Sequence, residues 1–562
     1  MSSRFEPGST LLTRRQCVAG LGSVAVAASM QARGRPLAVA PDPPTASALE
    51  LAAGLRAGRW SAGELAQYYF RRIEALNGPL GRFEDNGALN AFIRIYPDLA
   101  RRACERADRE RRYDGWAGVP VALKDVFEVE GLPVTVGTPA FSSHRARQDC
   151  TLWKKWSEAG AVLLGHTQSG RFVSGVTTPQ TANPWNRQLI AGGSSGGSAA
   201  AVSAGLVPVA LGTETSGSLI YPALCCAVTT LKPSHGLLSL AGVFPGAKDF
   251  DVCGPLARTA ADCAWAAATL AGIDPKDPMT APQAGHRMEW PELPPATSHA
   301  EQPFAGLRFL VATNERYLDR SRRDETPRPI ELDPRIRKGF EGFLRSLELM
   351  GAQVVPVDIP GTLGSQSVFR VKDPRLGNLT GRRLLEVVDY AFTAEPGLYR
   401  WMEQASPAQW QLASEWYGGH GRILASKEDL EEVARVSERT VRIATAARET
   451  LRDLWNRLLD RHRCDAHIYL EVGSPLPVRK GLDDTTMPQA RRTGVVPTDL
   501  GWPVLSLPVA KVEGLDVPIS AQWMARRWHD HRLLAWGIAW QQRHPQLHQR
   551  LPDSVVSGRS EP

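Results

Sequence analysis

The stretch from Gly192 to Ser218 constrains this chain more than any other. It opens Gly-Gly-Ser-Ser-Gly-Gly-Ser, runs on through small and apolar residues, and closes Gly-Thr-Glu-Thr-Ser-Gly-Ser, with Ser194 and Ser218 24 residues apart. Glycine lets a backbone take positive φ and approach a ligand closely, so that successive N–H groups point at one spot. A hydroxyl held among such N–H groups is what a serine nucleophile with an oxyanion hole needs. The same residues also read as two ordinary turns around a small-residue helix over 198–205, and neither turn decides the matter alone.

Around this stretch the hydrophobic period switches repeatedly between that of a helix and that of a strand. Leu49, Leu51, Leu55, Leu65, Tyr69 and Ile73 predict an amphipathic helix over 45–76. Strand patterns follow at 91–93, 118–127, 161–165, 207–211 and 352–357, and helical patterns at 97–111, 151–159 and 335–350. Gly160 and Gly351 stand where the last two helices should stop. This alternation predicts an α/β fold with a mostly open sheet. Residues 360–460 are charged and helical in pattern, with Trp401, Trp410 and Trp416 clustered. They read as an insertion that covers a pocket, or as a plain helical subdomain with a tryptophan core. The tail 554–562 is expected to be disordered.

Composition excludes more than it assigns. The net charge of +7 is carried partly by residues 1–40, where Arg4, Arg14, Arg15, Arg33 and Arg35 against Glu6 give +4 and leave +3 for the remainder. The basic run 101–112 contains Glu105 and Glu110 at helical pairing distance from its arginines, which is a solvated face. With no basic stripe interleaved with aromatics, a nucleic-acid partner is not expected. Thr13-Arg14-Arg15 precedes an apolar run over 17–28 and then small residues, the layout of a twin-arginine export leader over 1–40. The run is too short to span a bilayer as a mature helix, so stable membrane insertion is not expected. Export would place the protein in the periplasm or outside the cell; without a working leader it stays in the cytoplasm. Beyond Cys17 the chain keeps seven cysteines, Cys225 and Cys226 adjacent, with no zinc spacing. Buried thiols are expected, and no metal or other cofactor is implied.

Lys124 carries the chemistry. It ends the apolar run Val119-Pro120-Val121-Ala122-Leu123 in a chain with 55 arginines and only 11 lysines. Arginine cannot act as a base at ordinary pH, whereas a desolvated lysine can, because burial disfavours its charged form. A strand-end lysine that reaches out to solvent is the competing reading.

Lys124, the turn 192–198 and the turn 212–218 together resemble the amidase signature family. The resemblance extends through Leu231-Lys232-Pro233-Ser234-His235-Gly236, Cys253-Gly254-Pro255-Leu256-Ala257-Arg258-Thr259 and the stretch from Gly501-Trp502-Pro503 to Pro508, and covers roughly residues 45–545. It implies a central mixed β-sheet flanked by helices, with the helical insertion added. It also implies a Ser–cis-Ser–Lys triad: Ser218 as nucleophile, Ser194 after a cis peptide from Gly193 as bridging serine, and Lys124 as base. Backbone N–H groups of Thr215, Ser216 and Gly217, with that of Ser218, would form the oxyanion hole, and Ser195 would orient the triad. The activity implied is hydrolysis of a carboxylic amide, small or peptidic, and a homodimer stays open. The Gly-Thr-Glu-Thr-x-Gly-Ser form is similar to peptide amidases.

The chain departs from the family where Ile220 replaces an arginine that usually pairs with the acidic residue, here Glu214, and where Ala191 replaces a proline. Three alternatives remain. Ser195 fits Gly-x-Ser-x-Gly, the nucleophile elbow of an α/β-hydrolase esterase, with His529 or His531 available. The chain could instead be a glutamine-using amidotransferase A-type subunit, or a binding protein on the same scaffold.

Overall fold

A computed structural model describes residues 42–556 apart from 111–112, 174, 247–248, 296–299, 316, 321–327, 361–369, 374–376, 381–437, 481–486 and 493–496. All of these belong to one unit, Asp42–Pro562. The leader 1–40 and the tryptophans 401, 410 and 416 lie outside the described residues.

The centre is an 11-stranded sheet. In chain order its strands are β1 (Phe92–Ile95), β2 (Pro120–Lys124), β3 (Val162–Thr167), β4 (Val209–Glu214), β5 (Thr229–Lys232), β6 (Val252–Ala257), β7 (Arg308–Ala312), β8 (Gln353–Val357), β9 (Ala466–Tyr469), β10 (Val504–Ala510) and β11 (Ile519–Ala525). Across the sheet they run β1-β3-β2-β4-β6-β5-β10-β11-β9-β7-β8. β3, β2 and β4 are mutually parallel, as are β9, β7 and β8; the strands between them pair antiparallel. The sheet is therefore mixed, as the resemblance implied. Strands β2, β3 and β4 are buried along their whole length, which is why they read as unbroken apolar runs rather than alternating ones.

The helix expected over 45–76 is two helices, α1 (Ala48–Arg56) and α2 (Ala62–Leu76). Each starts with a reciprocal capping box, Ser47 with Glu50 and Ser61 with Glu64. Between them Gly58 takes a φ of +68°, a left-handed position that ends the first helix. The other helices lie close to their expected bounds: α3 (Pro97–Glu110), α4 (Thr151–Glu158), α5 (Gly196–Ser203) and, in the second half, α8 (Pro334–Leu349). Between α5 and α8 come α6 (Ile220–Cys225) and α7 (Ala260–Leu270). The solvated face of α3 is seen in the exposed Arg101–Glu105 pair at 2.7 Å.

Within the expected helical insertion, residues Arg370–Asp373 and Gly377–Thr380 form an antiparallel hairpin, so the segment is not helical throughout. Its last part is the long helix α9 (Glu438–His462). Of the tail expected to be disordered, residues 554–556 belong to a helical turn, Asp553–Val556, with Val555 buried, and the rest lies outside the described residues. All seven described cysteines are buried free thiols. Among the described residues no helix is long and apolar enough to cross a membrane.

Candidate active site

The parallel pair β2 and β4 brings the end of one apolar strand beside the end of the other. Lys124, the last residue of β2, is 0% exposed. Its Nζ donates to Ser194 Oγ at 2.7 Å and to Thr213 Oγ1 at 2.9 Å. Burial pulls the amine from 10.5 down to about 7, with the charge of Asp251 acting the other way. An ammonium has three N–H donors to place, whereas a neutral amine can donate to Thr213 and accept from Ser194. Burial, not these two contacts, favours the neutral form, and the reading of Lys124 as a solvent-reaching lysine is excluded.

The strand end is fixed by the next residue. Asp125 donates its N–H to Thr167 O at 3.0 Å, and its buried carboxylate accepts from Arg94 and from the N–H and hydroxyl of Thr135.

Ser194 sits in a turn that only glycine can build. An added Cβ at Gly193 would lie 2.3 Å from Thr177 O, and one at Gly192 2.7 Å from Pro222 Cα. The peptide between Gly193 and Ser194 is cis, as the resemblance implied. Ser194 O accepts from Gly170 N at 2.7 Å, and its fully buried hydroxyl meets Lys124.

The hydroxyl of Ser195 is occupied differently. It donates to Thr213 O at 3.1 Å and accepts from Thr213 N at 3.2 Å, tying the start of α5 to β4. This supports an orienting role, because Thr213 is the second partner of Lys124. It removes the esterase alternative, in which Ser195 would need a histidine. His529 and His531 instead flank the start of α10 (Asp530–Arg543), where burial pushes His529 down to about 4.

Ser218 lies in the bend between β4 and α6 and is 8% exposed. Gly217 before it takes a φ of +113°, so this position needs glycine. The Thr215 hydroxyl bonds Asp251, whose other oxygen accepts from Gly246 N at 2.7 Å. Glu214 closes the bend: its Oε2 accepts from the N–H groups of Leu219 at 2.9 Å and Ile220 at 3.0 Å. Burial raises its pKa, opposed first by the charge of Lys232 and then by these N–H groups. With Ile220 in place of an arginine, the positive charge facing Glu214 comes from Lys232. Lys232 is itself fully buried, donates to Trp502 O at 2.7 Å, and is pulled down to about 8 by burial. The Lys-Pro and Gly-Trp-Pro motifs thus meet behind the Ser218 bend.

The two turns pack together. Besides Gly192 against Pro222, an added Cβ at Gly212 would lie 2.8 Å from Ser195 Oγ and 2.9 Å from Leu219 Cδ2. The structure therefore joins Lys124 to Ser194 directly and sets the Ser218 bend against the Ser194 turn. Thr213 and Asp251 were not foreseen as site residues; the only hint was a polar pair of positions flanking apolar strands. Among the described residues no cluster of side chains could hold a metal.

The family model described as Amidase matches residues 64–534. The A-type component of the glutamyl-tRNA(Gln) amidotransferase from Chromohalobacter salexigens is 36% identical over 321 residues, 56% of this chain and 60% of that protein. Its counterpart from Cupriavidus taiwanensis is 37% identical over 339 residues, 58% of this chain and 63% of that protein. The matched part thus spans less than two thirds of the length of these relatives. The native peptide amidase of Stenotrophomonas maltophilia is similar in structure with a TM-score of 0.68 at 25% identity, over 90% of this chain and 98% of that one. Motifs, sheet and a match across most of its length agree that this chain belongs to the amidase signature family.

Proposed function

We propose that the chain is an amidohydrolase that cleaves a carboxylic amide to an acid and ammonia or an amine through an ester on Ser218. The observation that carries this is the Lys124 amine, fully buried, drawn down to about 7 and 2.7 Å from Ser194 Oγ. Neutral Lys124 takes the Ser194 proton while Ser194 takes that of Ser218, whose oxygen bonds the amide carbon. The carbonyl electron pair moves to oxygen, held by the N–H groups of Thr215, Ser216, Gly217 and Ser218. As the carbon–nitrogen bond breaks, Ser194 gives a proton to the leaving nitrogen and is resupplied by Lys124. Water then attacks the ester, its proton returning along the same relay, and Ser218 is released as an alcohol. Ser195 acts on Lys124 through Thr213.

Replacing Ser218 with Ala tests the assignment. Release of amine or ammonia and labelling by a fluorophosphonate should both vanish, and full hydrolysis by this variant would overturn it. An inert wild type that binds amides unchanged would instead be a binding protein.

The likeness to A-type components of amidotransferases favours a second reading, a glutamine-hydrolysing subunit that works beside partners. Ammonia or amine release from simple amides by the isolated chain decides for the first. Export through the leader 1–40, if observed, speaks for the first, and changing both Arg14 and Arg15 to Lys should then hold the protein in the cytoplasm. Retention of the unaltered protein there, bound to partners, decides for the second.

A further inference from the structure

We propose that Asp251 is a positioning residue of the reaction: it holds Thr215 in the oxyanion loop, and its charge steadies Lys124 once that amine has taken a proton. This rests on the amidohydrolase reading above.

The placement comes from the sheet. β4 and β6 pair antiparallel with Thr213 opposite Cys253 and Glu214 opposite Val252. One step further the same register sets Thr215 against Asp251, and the Thr215 hydroxyl donates to Asp251 Oδ1. Oδ2 accepts from Gly246 N at 2.7 Å. Both bonds are accepted by the carboxyl group, as a carboxylate requires. Asp251 is 5% exposed, and the chain closes over it at Gly246, where an added Cβ would lie 2.6 Å from Thr215 Oγ1 and 3.2 Å from Asp251 Oδ1. Asp251 is thus tied to the residue that opens the oxyanion loop, while Thr213, two places earlier, bonds the base.

When Lys124 takes the Ser194 proton, an ammonium forms where burial disfavours it. Asp251 is the foremost charge acting in its favour, and in a site closed to water a charge acts more strongly than in solvent. The other titratable groups around Lys124 are neutral or matched. On β6, burial pushes the Cys253 thiol well above its ordinary range, so it stays uncharged. On β3, burial pulls His166 down to about 4, so it too is neutral. Asp125 is paired with Arg94, and Glu214 at the end of β4 faces Lys232. From α9, Arg448 lies over the Phe250 ring at 4.8 Å and is faced by Asp249.

The test is the second-order rate of Ser218 labelling by a fluorophosphonate, measured on the full chain across pH. The wild-type rate should inflect near 7. Asp251→Asn, with Asp251→Ser as a second neutral replacement, removes a charge that favours the ammonium. The inflection should therefore move to lower pH by about one unit, and the plateau above it should fall about three- to tenfold, because the amine is a weaker base. Asp251→Glu keeps the charge and should inflect within about 0.3 unit of wild type. Thr215→Val removes only the hydroxyl, so its plateau should fall about tenfold with the inflection unmoved. Neutral variants that inflect with the wild type overturn the proposal, as does an Asp251→Glu or Thr215→Val inflection that moves as far as theirs. A wild type that the probe does not label, or a Ser218→Ala variant labelled just as fast, overturns the amidohydrolase reading and this proposal with it.

Discussion

Burying Lys124 should make the protein less stable than it could be, by an amount that depends on pH. In the unfolded chain this lysine titrates near 10.5, and in the fold at about 7. At 1.36 kcal/mol per pH unit, that difference amounts to about 5 kcal/mol. The sign follows from proton counting. Below about pH 7 both states hold the proton, so the fold carries the full penalty of a buried ammonium. Between about 7 and 10.5 only the unfolded state holds it, so stability rises with pH, and above 10.5 the penalty is gone. Lys124→Met removes the titration and keeps most of the volume. It also removes the hydrogen bonds to Ser194 and Thr213, which offset about 2 kcal/mol of the gain. The variant should therefore be catalytically dead yet more stable than wild type at pH 6, by on the order of 2–3 kcal/mol. The gap should shrink by roughly 2 kcal/mol between pH 7 and 9. Equilibrium urea unfolding followed by tryptophan fluorescence at several pH values measures it. A variant no more stable than wild type at pH 6, or a gap that does not move with pH, would refute the assignment of Lys124 as a neutral buried amine.

Four further outcomes are expected. The acid limb of kcat/KM should inflect near 7, where Lys124 loses its proton; a profile flat from about pH 5 to 8 contradicts its role as base. Ser195→Ala loses both bonds to Thr213 and should lower stability by about 1–3 kcal/mol while keeping most activity, in contrast to a loss on the order of 10⁴-fold or more for Ser218→Ala. Glu214→Leu strands the N–H groups of Leu219 and Ile220 and should lower kcat far more than it changes KM, with partial recovery in Glu214→Gln, which keeps an acceptor. Gly193→Ala drives a methyl into the Thr177 backbone and should destabilise by about 3 kcal/mol or more in thermal unfolding, whereas Gly285→Ala, with open space around it, should stay within about 0.5 kcal/mol.

Much of the site could be read from residue types because its parts are local. A single lysine at the end of an apolar run and two glycine-flanked serines are visible without knowing how the strands pair. The partners of Lys124 are another matter. Thr213 reaches it because β2 and β4 are neighbours, and Asp251 because β6 lies beside β4; strand order is a long-range outcome that hydrophobic period does not encode. The same holds for Glu214, whose counter-charge Lys232 arrives from β5. The break between α1 and α2 was legible in Ser61 and Glu64, but the continuous apolar stripe masked it. The hairpin at 370–380 was hidden by the helical composition around it. The strand bounds differ by a few residues where chains bend away from the sheet, as after Lys124, whose carbonyl already accepts from Val126 and Phe127.

The triad lies between residues 124 and 218, at the end of β2 and in the two serine turns, while α8, β9, β10 and β11 are contributed by residues beyond 330. The triad is thus written in the first half of the gene and the far strands of the same sheet in the second. Drift in the second half can therefore remodel those far strands while the triad stays untouched. A chimera that keeps the first half and exchanges the second with a relative should keep the pH inflection set by Lys124.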